Sequence, residues 1–527
     1  MQQLSGIDQI FFALDTPTTD AILGGLIRFD PPTEGQPVPD EVFMRGRLSE
    51  RLEYLPPLHM VRVRTPLGLD HDYIAEADRI DVAAHIHTVI LPGPGGDEEL
   101  AAEISRIMAT PLIPNRPMWD YTVFEGLADG GVAHLFRVHH GVVDGGLLTQ
   151  VWTALSDAPG AMAHPDTKVT WPEPIGGRAE LAVRALLGLA KKPLLMAKMQ
   201  AVGVKWIIRR WPEDGIMTVP ALLAKMIPGE LGRPLTALVN KRQRAVGKPD
   251  ITTQYPTLFP PKTPLNGQLT ARRHFVFVDL PFAKTKAIGT PFGATLNAVI
   301  VAICSGAVRR YLQDRDMLPD KPMVLCCPIS TRTGTEEEPW ANYIDMMHVA
   351  FPTHIADPVE RLRVASRDLT TAKLSFDSMP DVFTRETSRL IPRDLFSVIN
   401  HVLVRLPESL PRTLDNVTIS NVRGPAQVNS MNGLSVHGYY PVPFLTPGGG
   451  INLSLWSYRE QLCFGILGCP DKTGDLWQLS RYVAEAVDEL SDAVARVSAE
   501  EKAALEASDI TDATDEAEPK RVVQLIV

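Results

Sequence analysis

At 527 residues the chain exceeds what one ordinary hydrophobic core supports, so two or three domains are expected. Hydrophobic residues at 45% and charged residues at 22% are near globular averages and predict a folded protein. The net charge of -10 and five cysteines without a Cys-x-x-Cys pair point away from a nucleic-acid binder, a disulfide scaffold and a zinc site.

The first residues have no basic region followed by an apolar run, and no stretch reaches the roughly 18 uncharged apolar residues of a membrane span, so a cytoplasmic location is expected. Residues 97–108 carry acids in their first turn and apolar residues at 100, 104, 107 and 108, which predicts an amphipathic helix. Residues 121–125 and 132–140 read as strands joined by the turn-rich segment 126–131. Alternation on the second strand puts Phe136, Val138 and His140 on one face and Leu135, Arg137 and His139 on the other. Residues 147–155 read as a helix with Asp144 near its start. Residues 1–168 are thus an expected N-terminal α/β domain.

Residues 169–265 read as a helical linker with many prolines. Between Arg178 and Lys248 fourteen Lys or Arg stand against four acids, a local +10 that leaves -20 for the remainder. Two helices are expected there, over 185–199 and 204–211, whose mixture of bulky apolar residues and cations suits peripheral contact with an anionic lipid surface. The plainer reading is a pair of helices packed on the protein with a solvated basic face. A second α/β domain is expected over 266–506, with strands near 272–280, 322–329, 343–351, 414–421, 434–440, 450–457 and 462–468. Helices fall near 294–312, 357–375, 382–403 and 475–506. Residues 507–527 read as an acidic, mobile tail.

The chemistry concentrates in His139-His140-Gly-Val-Val-Asp144-Gly145. A neutral imidazole accepts a proton at cell pH and can act as general base toward a hydroxyl, an adjacent carboxylate can fix ring or backbone, and glycine permits close approach. Asp144 is expected to pair with an arginine or to cap the following helix. Adjacent histidines on a strand point apart and make poor joint ligands, so no metal is expected at His139, His140 and Asp144.

Four stretches together give a resemblance. Leu4-Ser-Gly-Ile-Asp-Gln-Ile-Phe-Phe12, Pro111-Leu-Ile-Pro-Asn-Arg-Pro-Met-Trp-Asp120, His139 to Gly145, and Ile419-Ser-Asn-Val-Arg-Gly-Pro425 with Asn452 and Ser457-Tyr458 resemble the bacterial wax ester synthase/acyl-CoA:diacylglycerol acyltransferase family. The resemblance implies an α/β fold of two chloramphenicol-acetyltransferase-like domains joined by a helical linker, with the reaction in a tunnel between them. It also implies a long-chain acyl-CoA donor, a diacylglycerol or long-chain alcohol acceptor, and no cofactor or metal. By the same resemblance His140 is the base; His139 is read as supporting it, and Gly145 and Gly146 as relieving crowding at the turn into the following helix. Asn297 is the candidate to bind the oxyanion or the acceptor, and Trp119 and Ser420-Asn421 are weaker candidates for the pocket wall. One departure stands out: where the family has Leu-Asn-Asp, this chain reads Leu296-Asn297-Ala298. That leaves a lipid-binding homologue without turnover as an alternative, besides a condensation-type enzyme sharing the same motif.

Overall fold

The computed structural model describes residues 2–68, 70–158, 177–253, 255–257, 259–332, 340–378, 388–390, 393–405, 413–425 and 429–512. The elements that position the site begin with α1 (Gly6–Ala13), β1 (Ile22–Phe29), β2 (Ile86–Ile90), α2 (Asp97–Met108), β3 (Trp119–Glu125), β4 (Ala133–His139) and α3 (Gly145–Leu155). The linker holds α4 (Arg178–Asp214), α5 (Thr218–Met226) and α6 (Gly229–Ala245). There follow β5 (His274–Pro281), α7 (Leu296–Gln313), β6 (Met323–Ser330), β7 (Ile344–Phe351) and α8 (Pro358–Asp377). The chain continues with β8 (Val417–Arg423), β9 (Ser430–Met431), β10 (Leu434–Val442), β11 (Ile451–Tyr458), β12 (Gln461–Gly468) and α9 (Leu476–Asp512).

Two six-stranded mixed sheets organise the chain. The first runs β9-β10-β1-β4-β3-β2 and the second β7-β6-β8-β11-β12-β5. The expected strand over 434–440 is present, but it lies in the first sheet, pairing antiparallel with β1, rather than in the second compact region. Its alternation cannot name its neighbour; buried Tyr439 and Tyr440 join the first core. The halves interlock again where the Ser105 hydroxyl on α2 accepts from the Phe275 N–H on β5, 2.8 Å away.

Each sheet covers its own apolar cluster. In the first, Trp152 on α3 packs edge-on against Tyr121 and Phe136, all three with at most 1% exposure. The second gathers α7 and α9 over the sheet, with Val483, Val487 and Leu490 of α9 inside. The two linker helices expected over 185–199 and 204–211 are one 37-residue helix, α4, which carries Pro193 within it. Of the helix expected over 382–403, residues Arg393–Arg405 are helical and 382–387, 391 and 392 lie outside the described residues, as do the start of the linker and tail residues 513–527; residues 507–512 of the expected tail instead continue α9.

Candidate functional site

Strand β4 ends at His139, and a tight turn follows in which Val142 N–H donates to the His139 carbonyl at 3.0 Å. His140 therefore stands in the turn, held to β1's approach by its N–H on Ala21 O at 2.7 Å. Strict alternation predicts opposite faces for the two histidines. Instead both rings lie under α1, His140 stacked on Phe11 at 3.9 Å and His139 on Phe12 at 4.1 Å, because the chain leaves the pleat between them.

The two rings have different surroundings. His139 is 6% exposed; its Nδ1 accepts from Gly141 N–H at 3.0 Å, so Nε2 carries the proton and donates to Asp15, 3.2 Å from each carboxylate oxygen. Burial works to raise the Asp15 carboxyl, but His139, the Ala21 N–H and Arg62 outweigh it and hold it below its ordinary value. His140 is partly exposed and edged by Phe444 at 5.4 Å, and its Nδ1 is buried without a hydrogen-bond partner among the described residues. Burial pushes its pKa down to about 4, against the pull of Asp144. It is a neutral base at cell pH. With Nδ1 buried, Nε2 is the nitrogen left to meet a substrate.

Asp144 does both things expected of it. Its Oδ1 caps α3 by accepting from Leu147 N–H at 2.8 Å, and its Oδ2 accepts from Arg332 of the C-terminal half at 2.9 Å. Gly145, the first residue of α3, faces Val422 of β8, where an added Cβ would find an ordinary contact at 3.5 Å. The crowded glycine is Gly141, whose Cβ would meet the Phe12 ring at 2.5 Å. Crowding at this turn is therefore relieved at Gly141 rather than at Gly145.

Asn342 completes the arrangement, and nothing local in the sequence marks it. Fully buried before β7, it donates from Nδ2 to the His140 carbonyl at 2.7 Å and to Asp8 Oδ1 at 2.7 Å. Asp8, raised by burial against the donors Ser5 and Asn342, closes the capping box of α1 with Ser5. The signal was present in the opening segment Leu4 to Phe12, whose Asp8, Phe11 and Phe12 all serve the histidines.

Among the described residues, neither expected substrate-side residue has a hydrogen bond or ring contact with His140. Asn297, in the first turn of α7, accepts from Asn421 Nδ2 at 2.6 Å; Asn421 neighbours Val422, the residue against Gly145. Trp119 is 1% exposed, stacks on His85 at 4.2 Å and donates to Leu58 O at 2.9 Å, contacts of a core residue. Ala298 is likewise buried among the apolar residues of the second core, its N–H capped by Thr295. One cavity, about 830 Å³, lies along α6 between Arg233, Lys241 and Thr253, and His140 does not line it.

The wax ester synthase/diacylglycerol acyltransferase catalytic domain matches residues 4–300, and the C-terminal domain of the same family matches residues 340–491. The chain belongs to the wax ester synthase/diacylglycerol acyltransferase family. It is thus an acyltransferase of that family. A Mycobacterium tuberculosis (strain CDC 1551 / Oshkosh) protein bearing the name "Putative diacyglycerol O-acyltransferase" is 28% identical over 504 residues, covering 93% of this chain and 90% of its own. A second with that name, from strain ATCC 25618 / H37Rv, is 28% identical over 496 residues, covering 93% and 97%. The solved wax ester synthase/diacylglycerol acyltransferase of Marinobacter aquaeolei VT8 superposes with a TM-score of 0.61 at 22% identity, over 94% of this chain and all of that one. The first condensation domain of the CDA synthetase shares the fold at a TM-score of 0.52 and 13% identity, over 94% and 96%. The expected two-domain α/β fold of this family is the one observed.

Proposed function

We propose that the chain transfers a long-chain acyl group from acyl-CoA to the hydroxyl of diacylglycerol, and to long-chain alcohols, with His140 as general base. One observation carries the reading: an imidazole held neutral by burial sits where residues of both halves converge. The acceptor hydroxyl passes its proton to His140 Nε2 as its oxygen attacks the thioester carbonyl. The C–S bond breaks, the ester forms, and the CoA thiolate leaves with the proton returned from the imidazolium. No resident metal or cofactor takes part, since the thiolate is already a good leaving group. His139, held between Asp15 and Gly141, keeps the turn in shape. Asn297 and Asn421 are the polar pair offered to the acceptor or the developing oxyanion.

The test gives purified protein labelled palmitoyl-CoA with diolein or with hexadecanol. Acylated product and CoA release are expected with diolein at least, and a loss on the order of 10³-fold in His140→Ala. Equal turnover by the variant removes His140 from the chemistry; absence of turnover with either acceptor favours the lipid-binding alternative.

The substrates partition into lipid, and α4 supports a peripheral contact with it. Leu194 and Ile208 are 73% and 64% exposed, Leu187 and Trp211 are exposed too, and Lys191, Lys198, Lys205 and Arg209 alternate with them. Apolar insertion plus charge attraction to an anionic surface suits such a helix. Co-sedimentation with phosphatidylserine vesicles is expected to weaken when these four cations are neutralised; undiminished binding excludes this helix as the anchor.

A further inference from the structure

Away from the histidine pair, in the second sheet, Cys326, His348 and Asp415 meet where β6, β7 and the entry to β8 lie side by side. Cys326 and His348 are directly opposite in the antiparallel register, and β8 pairs Thr418 with Cys326 from the other edge. One ligand atom from each of the three lies within 4.8 Å of the others, and His348 Nε2 is 3.6 Å from Asp415 Oδ2. In a tetrahedral site with bonds of about 2.0–2.3 Å, neighbouring ligand atoms stand about 3.4–3.6 Å apart, so shifts near 1 Å close the remaining gaps.

Three further features fit a cation. Cys326 and His348 are 6% and 7% exposed, and His348 Nδ1 is buried with no hydrogen-bond partner among the described residues. The Met346 thioether is 3.7 Å from Cys326 Sγ, and the Tyr255 ring from the linker covers His348 at 4.8 Å. Beside them a cavity of about 20 Å³, lined by Met346, His348 and Thr253, has room for one water. Lys225 also lines it, with its ammonium bonded to the Ser378 hydroxyl.

We propose that Cys326, His348 and Asp415 bind one zinc ion, with a water from the adjoining cavity as fourth ligand, tying three strands to the linker at Tyr255. Thiolate, imidazole and carboxylate together suit zinc better than magnesium or calcium, which take oxygen alone. Binding displaces the thiol proton, and the divalent charge balances thiolate and carboxylate. The ligands come from two strands and the approach to a third, so no Cys-x-x-Cys spacing marks them. The site rests on geometry outside the acyl-transfer machinery, so its failure and that of the proposed activity are separate outcomes.

The full chain is dialysed against EDTA, reloaded with zinc or cobalt at micromolar free metal, and desalted. About one zinc per chain is expected by mass spectrometry of the metal, with a thiolate-to-cobalt charge-transfer band in the cobalt form. Cys326→Ser and His348→Gln lose at least ten-fold in metal content, whereas Cys327→Ser keeps both metal and band. Should those variants fail to fold, zinc protection of Cys326 from alkylation in the unmodified chain decides the matter. An unmodified chain that takes up no zinc, lacks the thiolate band, or alkylates Cys326 equally with and without zinc overturns the proposal.

Discussion

Arg332, from the C-terminal half, donates to the outer oxygen of Asp144 at 2.9 Å while the other oxygen of the same carboxylate caps α3. One side chain thus fixes the helix that follows the catalytic turn and fastens the two halves together. Asp144→Ala removes a cap worth about 1 kcal/mol and one of several bonds of Arg332, which keeps the Ala341 carbonyl at 2.7 Å, so a loss of about 1–2 kcal/mol is expected in urea unfolding. Asp144→Asn keeps a capping oxygen and should lose about half as much. Equal losses for the two variants would mean that the cap contributes nothing.

Asn342 holds the backbone carbonyl of His140, which makes it a positioning residue. Asn342→Ala leaves the His140 carbonyl and Asp8 each short of a donor, with an expected cost of about 1–3 kcal/mol in stability. Displacement of the base should lower kcat by about 10- to 100-fold and leave KM within about 2-fold. Steady-state kinetics checks the split; a rise in KM alone would place Asn342 in substrate binding instead.

Local pattern carried the elements well and their assembly less well. The helix over 97–108 follows from acids in its first turn and apolar residues at helical spacing, and the observed bounds are the same residues. The strand near 434–440 was equally legible, yet its place in the first sheet depends on partners some 400 residues away. His140 displays the same divide: its motif marks the chemistry, but Asn342, Arg332 and Phe444 approach it from the other half. No periodicity encodes such contacts, and the shift of His140 off the pleat is a turn that alternation cannot anticipate.

The depressed pKa of His140 separates two pH profiles. With a value of about 4, the base remains neutral well below the 6.5 of an ordinary imidazole, so kcat/KM should stay flat from pH 8 down to about 5. An acid limb centred near 6.5 would show that the ring is not desolvated in the working enzyme. Stability behaves otherwise. The unfolded chain binds protons below about pH 6.5 that folded His140, and His134 at about 3, refuse, so unfolding becomes easier as pH falls from 6.5 toward 4. His140→Ala should reduce the drop in urea midpoint between pH 7 and pH 5.

The two glycines that flank this stretch of the motif should respond in opposite ways to an added methyl. A Cβ at Gly141 would stand 2.5 Å from the Phe12 ring, which is itself stacked on His139 and lies under Arg62. Phe12 cannot retreat without disturbing both, so Gly141→Ala should cost about 1–3 kcal/mol and lower kcat along with it. At Gly145 the nearest atom is the Val422 side chain at 3.5 Å, and the position opens a helix. Gly145→Ala should therefore change stability by less than about 1 kcal/mol, in the stabilising direction, because alanine favours the helix. Thermal unfolding of the two variants side by side checks the order. A destabilised Gly145→Ala would mean that α3 needs a closer approach to β8 than the resting structure has.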